Sequence, residues 1–139
     1  MRIAINGMGR IGRLLFRRLV DHTGIELVAV NDIMPQDNLV YLLKYDSVYG
    51  TFNHDIVVEG NQVIAAGKKI RVLQADHPSK LPWKDMNVDI VLESSGRFSG
   101  KTGAEEHLKA GAKKVLLSTT GSDDIPLMIL CRRITWFTC

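Results

Sequence analysis

Gly7, Gly9 and Gly12 stand at the spacing G-x-G-x-x-G and are entered directly from the apolar run Ile3-Ala4-Ile5-Asn6. Glycines at this spacing can cradle a phosphate. The first permits a tight turn out of a strand, the second lets backbone approach a pyrophosphate, and the third lets the following helix pack closely on that strand. The N–H groups at the start of such a helix then face the anion, aided by a partial positive charge of about half a unit. Arg10 and Arg13 add full charges beside it. The spacing alone also suits an ordinary glycine-rich turn, so the flanks must decide.

Asp32 supplies the second half of the pattern. It lies twenty residues beyond Gly12, after the β-branched run Ile25-Glu26-Leu27-Val28-Ala29-Val30 and Asn31. An acid at about this distance, at the carboxyl end of a second strand, accepts hydrogen bonds from adenosine ribose hydroxyls. It also discriminates between cofactors. Two like charges about 4 Å apart at an effective dielectric near 20 repel by about 4 kcal/mol, which disfavours a 2′-phosphate and favours NAD over NADP.

The elements that must position these residues follow from hydrophobic period. Ile11, Leu14, Leu15, Arg18 and Leu19 recur at three and four positions and predict an amphipathic helix whose apolar stripe faces a sheet. A short helix is expected over Leu39 to Tyr45, capped by Asp37 or Asn38. Ile56-Val57-Val58-Glu59, Gln62-Val63-Ile64 and Lys69-Ile70-Arg71-Val72-Leu73 alternate between turns and predict a small antiparallel meander. A parallel strand over 88–93 ends in Ser94-Ser95-Gly96, a helix runs from about Thr102 through Lys109 to Gly111, and Val115-Leu116-Leu117 ends at Ser118-Thr119. This order predicts an α/β fold: a Rossmann-type, doubly wound, mostly parallel sheet with the meander inserted. Ligands of such sheets sit beyond the carboxyl ends of the strands, so four polar strand ends are expected to converge on one edge.

Composition excludes several classes. The 139 residues are 45% hydrophobic, with 18 basic and 15 acidic side chains and a net charge of +3. That balance, with the basic residues scattered, argues against a nucleic-acid partner. No run reaches the eighteen or so apolar residues of a membrane helix, and the N-terminus lacks the pattern of a signal peptide, so no membrane is expected and the expected compartment is the cytoplasm. Two cysteines, Cys131 and Cys139, form neither a disulfide framework nor C-x-x-C, and His22, His54, His77 and His107 are dispersed; no metal site is expected.

The motifs resemble one family closely. Asn6-Gly7-Met8-Gly9-Arg10-Ile11-Gly12-Arg13 resembles the NGFGRIGR signature of glyceraldehyde-3-phosphate dehydrogenases, and Val30-Asn31-Asp32 their VND. Lys44-Tyr45-Asp46-Ser47 with Gly50 and Phe52, Gly67-Lys68-Lys69-Ile70, Glu93-Ser94-Ser95-Gly96 and the run from His107 to Val115 resemble further family motifs in the same order. The resemblance implies that Arg10 and Ile11 hold the pyrophosphate and cover the adenine side, that Asp32 binds the ribose, and that Ser95, Gly96 and Ser118 contact the nicotinamide half. A backbone contact made by an arginine in the family falls on Asp76, and Met34 replaces the family's usual phenylalanine. The candidate cofactor-binding set is Asn6, Gly7, Gly9, Arg10, Ile11, Gly12, Asn31, Asp32, Asp76, Ser95, Gly96 and Ser118, with NAD as the cofactor.

The family's catalytic cysteine motif and histidine base do not occur in these 139 residues. Resemblance ends near Ile129, which divides the chain into an NAD-binding domain, 1–129, and a tail unlike the family, 130–139. A frameshift or premature stop is the expected origin of that tail. Cys131 and Cys139 have no adjacent base or oxyanion donors and are not expected to act as nucleophiles. Relatives oxidise glyceraldehyde 3-phosphate with NAD and phosphate in glycolysis, so this chain is expected to bind NAD and to be inactive alone. A nonenzymatic interaction or pseudogene fragment, and the same domain of an erythrose-4-phosphate dehydrogenase, are the alternatives. The homo-oligomer usual in the family draws on interface elements outside this sequence, which leaves the oligomeric state open.

Overall fold

A computed structural model describes residues 1–119 and Ile125. The chain begins with strand β1 (Arg2–Asn6), helix α1 (Arg10–Val20), strand β2 (Glu26–Asn31) and helix α2 (Gln36–Lys44). A two-stranded hairpin, β3 (Tyr45–Asp46) and β4 (Gly50–Thr51), precedes β5 (Ile56–Glu59), β6 (Gln62–Ala65) and β7 (Lys68–Leu73). A 3-10 turn at Pro78–Lys80, strand β8 (Ile90–Glu93), helix α3 (Lys101–Lys109) and strand β9 (Lys114–Leu117) complete the described part.

Seven described strands form one sheet in the order β5-β6-β7-β2-β1-β8-β9. β1 lies inside the sheet, parallel to β2 and β8, while β7 joins β2 and β9 joins β8, again in parallel. The antiparallel meander is therefore not a separate excursion. Its last strand, β7, is a member of the parallel sheet, with Val30 paired to Val72, and β5 and β6 extend that edge. The expected doubly wound α/β architecture is present.

Apolar side chains cover both faces. Ile3, Ile5, Phe16, Val20, Leu27, Leu39 and Leu43 build one layer with α1 and α2, and Ala4, Val28, Ala29, Trp83, Val91 and Ala112 build the other. Burial on both faces explains why β1 and β2 read as nearly unbroken apolar runs rather than alternating ones.

Two local expectations are corrected. The inward face of α1 is Gly12, Phe16 and Val20, whereas Ile11 is 48% exposed and Leu15 and Leu19 only flank the core. Gly12 must nest against Gly7, and that contact sets the rotation of the helix about its axis. At α2, neither Asp37 nor Asn38 caps the helix; Pro35 occupies the cap position without a side-chain hydrogen bond. Asp37 instead lies in the first turn, where its charge favours the helix dipole. The hairpin of β3 and β4 and the 3-10 turn were not anticipated.

Candidate functional site

Parallel pairing brings the carboxyl ends of β1, β2, β8 and β9 to one edge, and backbone hydrogen bonds staple the residues that follow. Gly7 N–H donates to the Asn31 carbonyl at 2.8 Å, Ser94 N–H to Asn6 at 2.8 Å, Asp32 N–H to Leu73 at 3.1 Å and Ser118 N–H to Glu93 at 2.9 Å. The four expected strand ends thus form one continuous rim.

The glycines divide the work as their environments dictate. Gly7 has φ +92°, and a Cβ there would meet the Ser95 N and Cα at 2.3 Å, so no other residue fits without moving backbone. A Cβ on Gly12 would lie 2.0 Å from the Gly7 carbonyl oxygen. Gly9, by contrast, would direct a Cβ into open space, with nothing within 4 Å. It caps α1 without a side-chain hydrogen bond, and no acidic residue occupies the first turn. Arg13 N–H to the Gly9 carbonyl, 3.0 Å, opens the helical ladder, and the N–H groups of Gly9 to Gly12 have no protein partner among the described residues. Orphan donors, a bare approach at Gly9 and a helix N-terminus fit an anionic pyrophosphate.

A cleft of about 230 Å³ opens over this rim. Asn6, Gly7, Gly9, Asn31, Asp32, Asp76 and Ser95 of the expected set line it, together with Ile33, Met34, Ala75, Ser94, Arg97 and Phe98. Arg10, Ile11, Gly12, Gly96 and Ser118 do not. Arg10 and Ile11 are exposed on the first turn of α1, Gly12 is buried beneath the cradle, and Gly96 is exposed with φ +73°. The Ser118 hydroxyl is buried and has no partner among the described residues. Ser95 shares the cleft with Asp32 and Met34, and so lies with the residues expected on the adenosine side.

Asp32 does more than line the lip. Its Oδ2 accepts Met8 N–H at 2.6 Å and its Oδ1 accepts Met34 N–H at 3.0 Å, tying the glycine loop to the turn after β2. Asp76 is exposed and accepts from Lys80 Nζ at 2.7 Å, and that ammonium holds its carboxyl below the usual carboxylate range. Asn6 and Asn31 are buried, and their side chains serve the protein rather than the cleft. Asn31 Nδ2 donates to Asn6 Oδ1 at 2.7 Å and to the Ala75 carbonyl at 2.9 Å, while Asn31 Oδ1 accepts Ala75 N–H at 2.8 Å.

Below the rim lies a buried carboxylate. Glu93 is 2% exposed and His107 fully buried. Oε1 of Glu93 accepts the Ser95 N–H at 2.7 Å and the Ser95 hydroxyl at 2.5 Å, and Oε2 accepts from Asn6 Nδ2 at 2.5 Å and His107 Nε2 at 2.8 Å. Trp83 Nε1 donates to His107 Nδ1 at 2.9 Å. Burial alone would raise the pKa of Glu93, but the donors from His107, Asn6 and Ser95 outweigh it and hold the carboxyl below its ordinary value.

Residues 1–101 match the family model described as "Glyceraldehyde 3-phosphate dehydrogenase, NAD binding domain". The chain belongs to the glyceraldehyde-3-phosphate dehydrogenase family. Glyceraldehyde-3-phosphate dehydrogenases from Chlamydia pneumoniae and Mycoplasma pneumoniae are 44% and 50% identical to it over 131 and 118 residues, covering 94% and 85% of this chain. A relative named as the cytosolic glyceraldehyde-3-phosphate dehydrogenase of Trypanosoma brucei brucei is 42% identical over 130 residues, or 94% of the chain. The matched stretch spans 39%, 35% and 39% of these three dehydrogenases, respectively. Every residue lining the cleft falls within the stretch matched to the family's NAD-binding domain, and NAD is the cofactor of that domain.

Sequence reasoning about this dehydrogenase domain missed Arg97 and Phe98 in the cleft and the Trp83–His107–Glu93 network beneath it. The signal for the network was faint. A tryptophan in a buried position needs an acceptor for its N–H, and a histidine on a helix can supply one, but no local spacing joins Trp83 on a loop to His107 on α3. The tail 130–139, with Cys131 and Cys139, lies outside the described residues, as does the boundary at residue 129.

Proposed function

We propose that this chain supplies the nucleotide half of a glyceraldehyde-3-phosphate dehydrogenase, with residues 1–129 as its NAD-binding unit. The observation that carries this reading is the bare Gly9 approach and the orphan N–H groups of α1 beside a cleft edged by Asp32. Gly7, Gly9 and the first turn at Arg10, Ile11 and Gly12 would hold the pyrophosphate through backbone. Asp32 would accept from the adenosine ribose, with Met34, Asp76 and Ser95 along the adenosine wall, Gly96 shaping the turn that follows Ser95, and Ser118 toward the nicotinamide. Bound NAD supplies a hydride acceptor, and the substrate of the whole protein would be glyceraldehyde 3-phosphate. These 139 residues hold no counterpart of the family's cysteine motif, so on this reading they bind NAD without oxidising aldehyde.

Calorimetric titration of the folded chain tests this. NAD should bind, NADP should bind more weakly, and aldehyde with phosphate should yield no NADH. Absence of NAD binding, or aldehyde-dependent NADH production by the purified chain, would overturn the reading. Tyr41, Tyr45, Val48 and Tyr49 crowd one exposed surface on α2 and the hairpin, each at least half exposed, which supports self-association as in the family's oligomers. Light scattering that gives a monomer at all concentrations would count against it. No helix among the described residues is long and apolar enough to cross a membrane, and the trypanosomal relative's name supports a cytosolic site of action for this chain.

A further inference from the structure

The buried carboxylate beneath the cleft is held by neutral donors whose polarity is dictated at every link. An indole N–H can only donate, so the Trp83 bond at 2.9 Å leaves His107 Nδ1 without a proton. Nε2 then carries the ring proton and donates to Glu93 Oε2. Asn6 presents its amide N–H to the same oxygen because its Oδ1 is taken by Asn31 Nδ2, and Asn31 is itself oriented by both backbone groups of Ala75. On the other side, Oε1 holds both donors of Ser95, and the Ser95 hydroxyl in turn accepts Arg97 N–H at 3.2 Å. The loop from Ser95 to Arg97, with Gly96 in the left-handed region, is one wall of the cleft.

We propose that Glu93 is a positioning residue for nucleotide binding: Oε1 holds the Ser95–Arg97 wall in its binding conformation, and Asn6 and His107 fix the carboxylate from behind through Oε2. This deepens the NAD-binding reading and rests on it. The chemistry calls for a carboxylate and not its amide. A glutamine would have to turn its NH2 either against the Ser95 N–H, where one of the two bonds to Ser95 is lost even if the hydroxyl reverses to accept, or against the Asn6 and His107 donors, which offer no acceptor in its place. A wall released from Oε1 samples other conformations, and affinity falls in proportion to the competent fraction.

The test is calorimetric titration of the folded full chain with NAD, combined with NMR of the Ser95 amide proton. In the wild type that proton is expected to be shifted downfield and protected from exchange. Glu93→Gln is expected to raise the Kd about tenfold and to abolish the Ser95 signature. His107→Gln keeps one donor and one acceptor and should bind NAD nearly as the wild type does, whereas His107→Leu should weaken binding several-fold although it lies on α3, outside the cleft. A purely structural role would lower stability in these variants but leave the Kd of the folded fraction and the Ser95 signature unchanged, and that result overturns the inference. If Glu93→Gln does not fold, the His107 pair decides. An unprotected Ser95 amide in the wild type overturns the inference with no variant at all. A wild type that binds no NAD while its Ser95 amide is protected overturns the functional reading first, and the inference with it.

Discussion

Replacing Gly12 by alanine isolates the packing that creates the cradle. The added Cβ would lie 2.0 Å from the Gly7 carbonyl oxygen and 3.0 Å from the Ser94 Oγ, where ordinary contact begins at 3.4 Å. The closest obstacle is backbone, so α1 must move by more than an ångström away from the loop it packs on. Overpacking of this kind costs about 1 to 3 kcal/mol, and rigid backbone puts this site at the upper end. Alanine's better helix propensity returns about 1 kcal/mol, which leaves a net loss of about 2 kcal/mol. In a urea titration the midpoint should fall with the slope unchanged, and the melting temperature should drop by roughly 5 to 10 °C. Gly9→Ala is the control. Its Cβ meets nothing, so stability should change by no more than about 1 kcal/mol, the scale of a cap substitution, while NAD affinity falls about tenfold because the methyl occupies the anion's approach. A Gly12→Ala protein as stable as the wild type, or less affected than Gly9→Ala, would refute the reasoning.

Further outcomes follow from the same geometry. Glu93 is held below its ordinary value of 4.5, so its contribution to stability is fully present above that value and is lost as pH falls through the lower folded one. Urea melts from pH 7 to pH 3 should therefore steepen in acid for the wild type and be flatter for Glu93→Gln over the same window. Trp83→Phe strands His107 Nδ1 as a buried acceptor and should cost about 1 to 3 kcal/mol, read as a lowered urea midpoint. Asp32→Asn puts an NH2 against Met8 N–H or Met34 N–H, so NAD titration should give weaker binding; the ratio of NAD to NADP affinity should also fall as the carboxylate is lost.

Much of the site was legible because its chemistry is local. Glycines at fixed offsets between a strand and a helix, and an acid at the next strand end, report a turn and a helix terminus that depend on few residues far away. The limits of that legibility are equally physical. Period alone assigned Ile11 to the apolar face of α1, since Leu14, Leu15 and Leu19 share its spacing, but the close approach of Gly12 to Gly7 decided the rotation. The meander's three strands were readable from alternation and turns, whereas the parallel pairing of β7 with β2 joins residues some forty positions apart and leaves no local mark. Asn6 and Asn31 were picked out by position in the motif, and their amides turned out to be spent on each other, Ala75 and Glu93.

By itself the sequence determined the α/β order, the glycine cradle, the acid at the second strand end and the nature of the cofactor, because each rests on backbone freedom or charge at short range. Only the tertiary structure decided which of those residues share a cleft, which way α1 faces, and that Glu93 and His107 meet beneath the site. Those outcomes depend on burial and hydrogen-bond polarity between segments distant in the chain, where a donor finds its acceptor only after the sheet has formed.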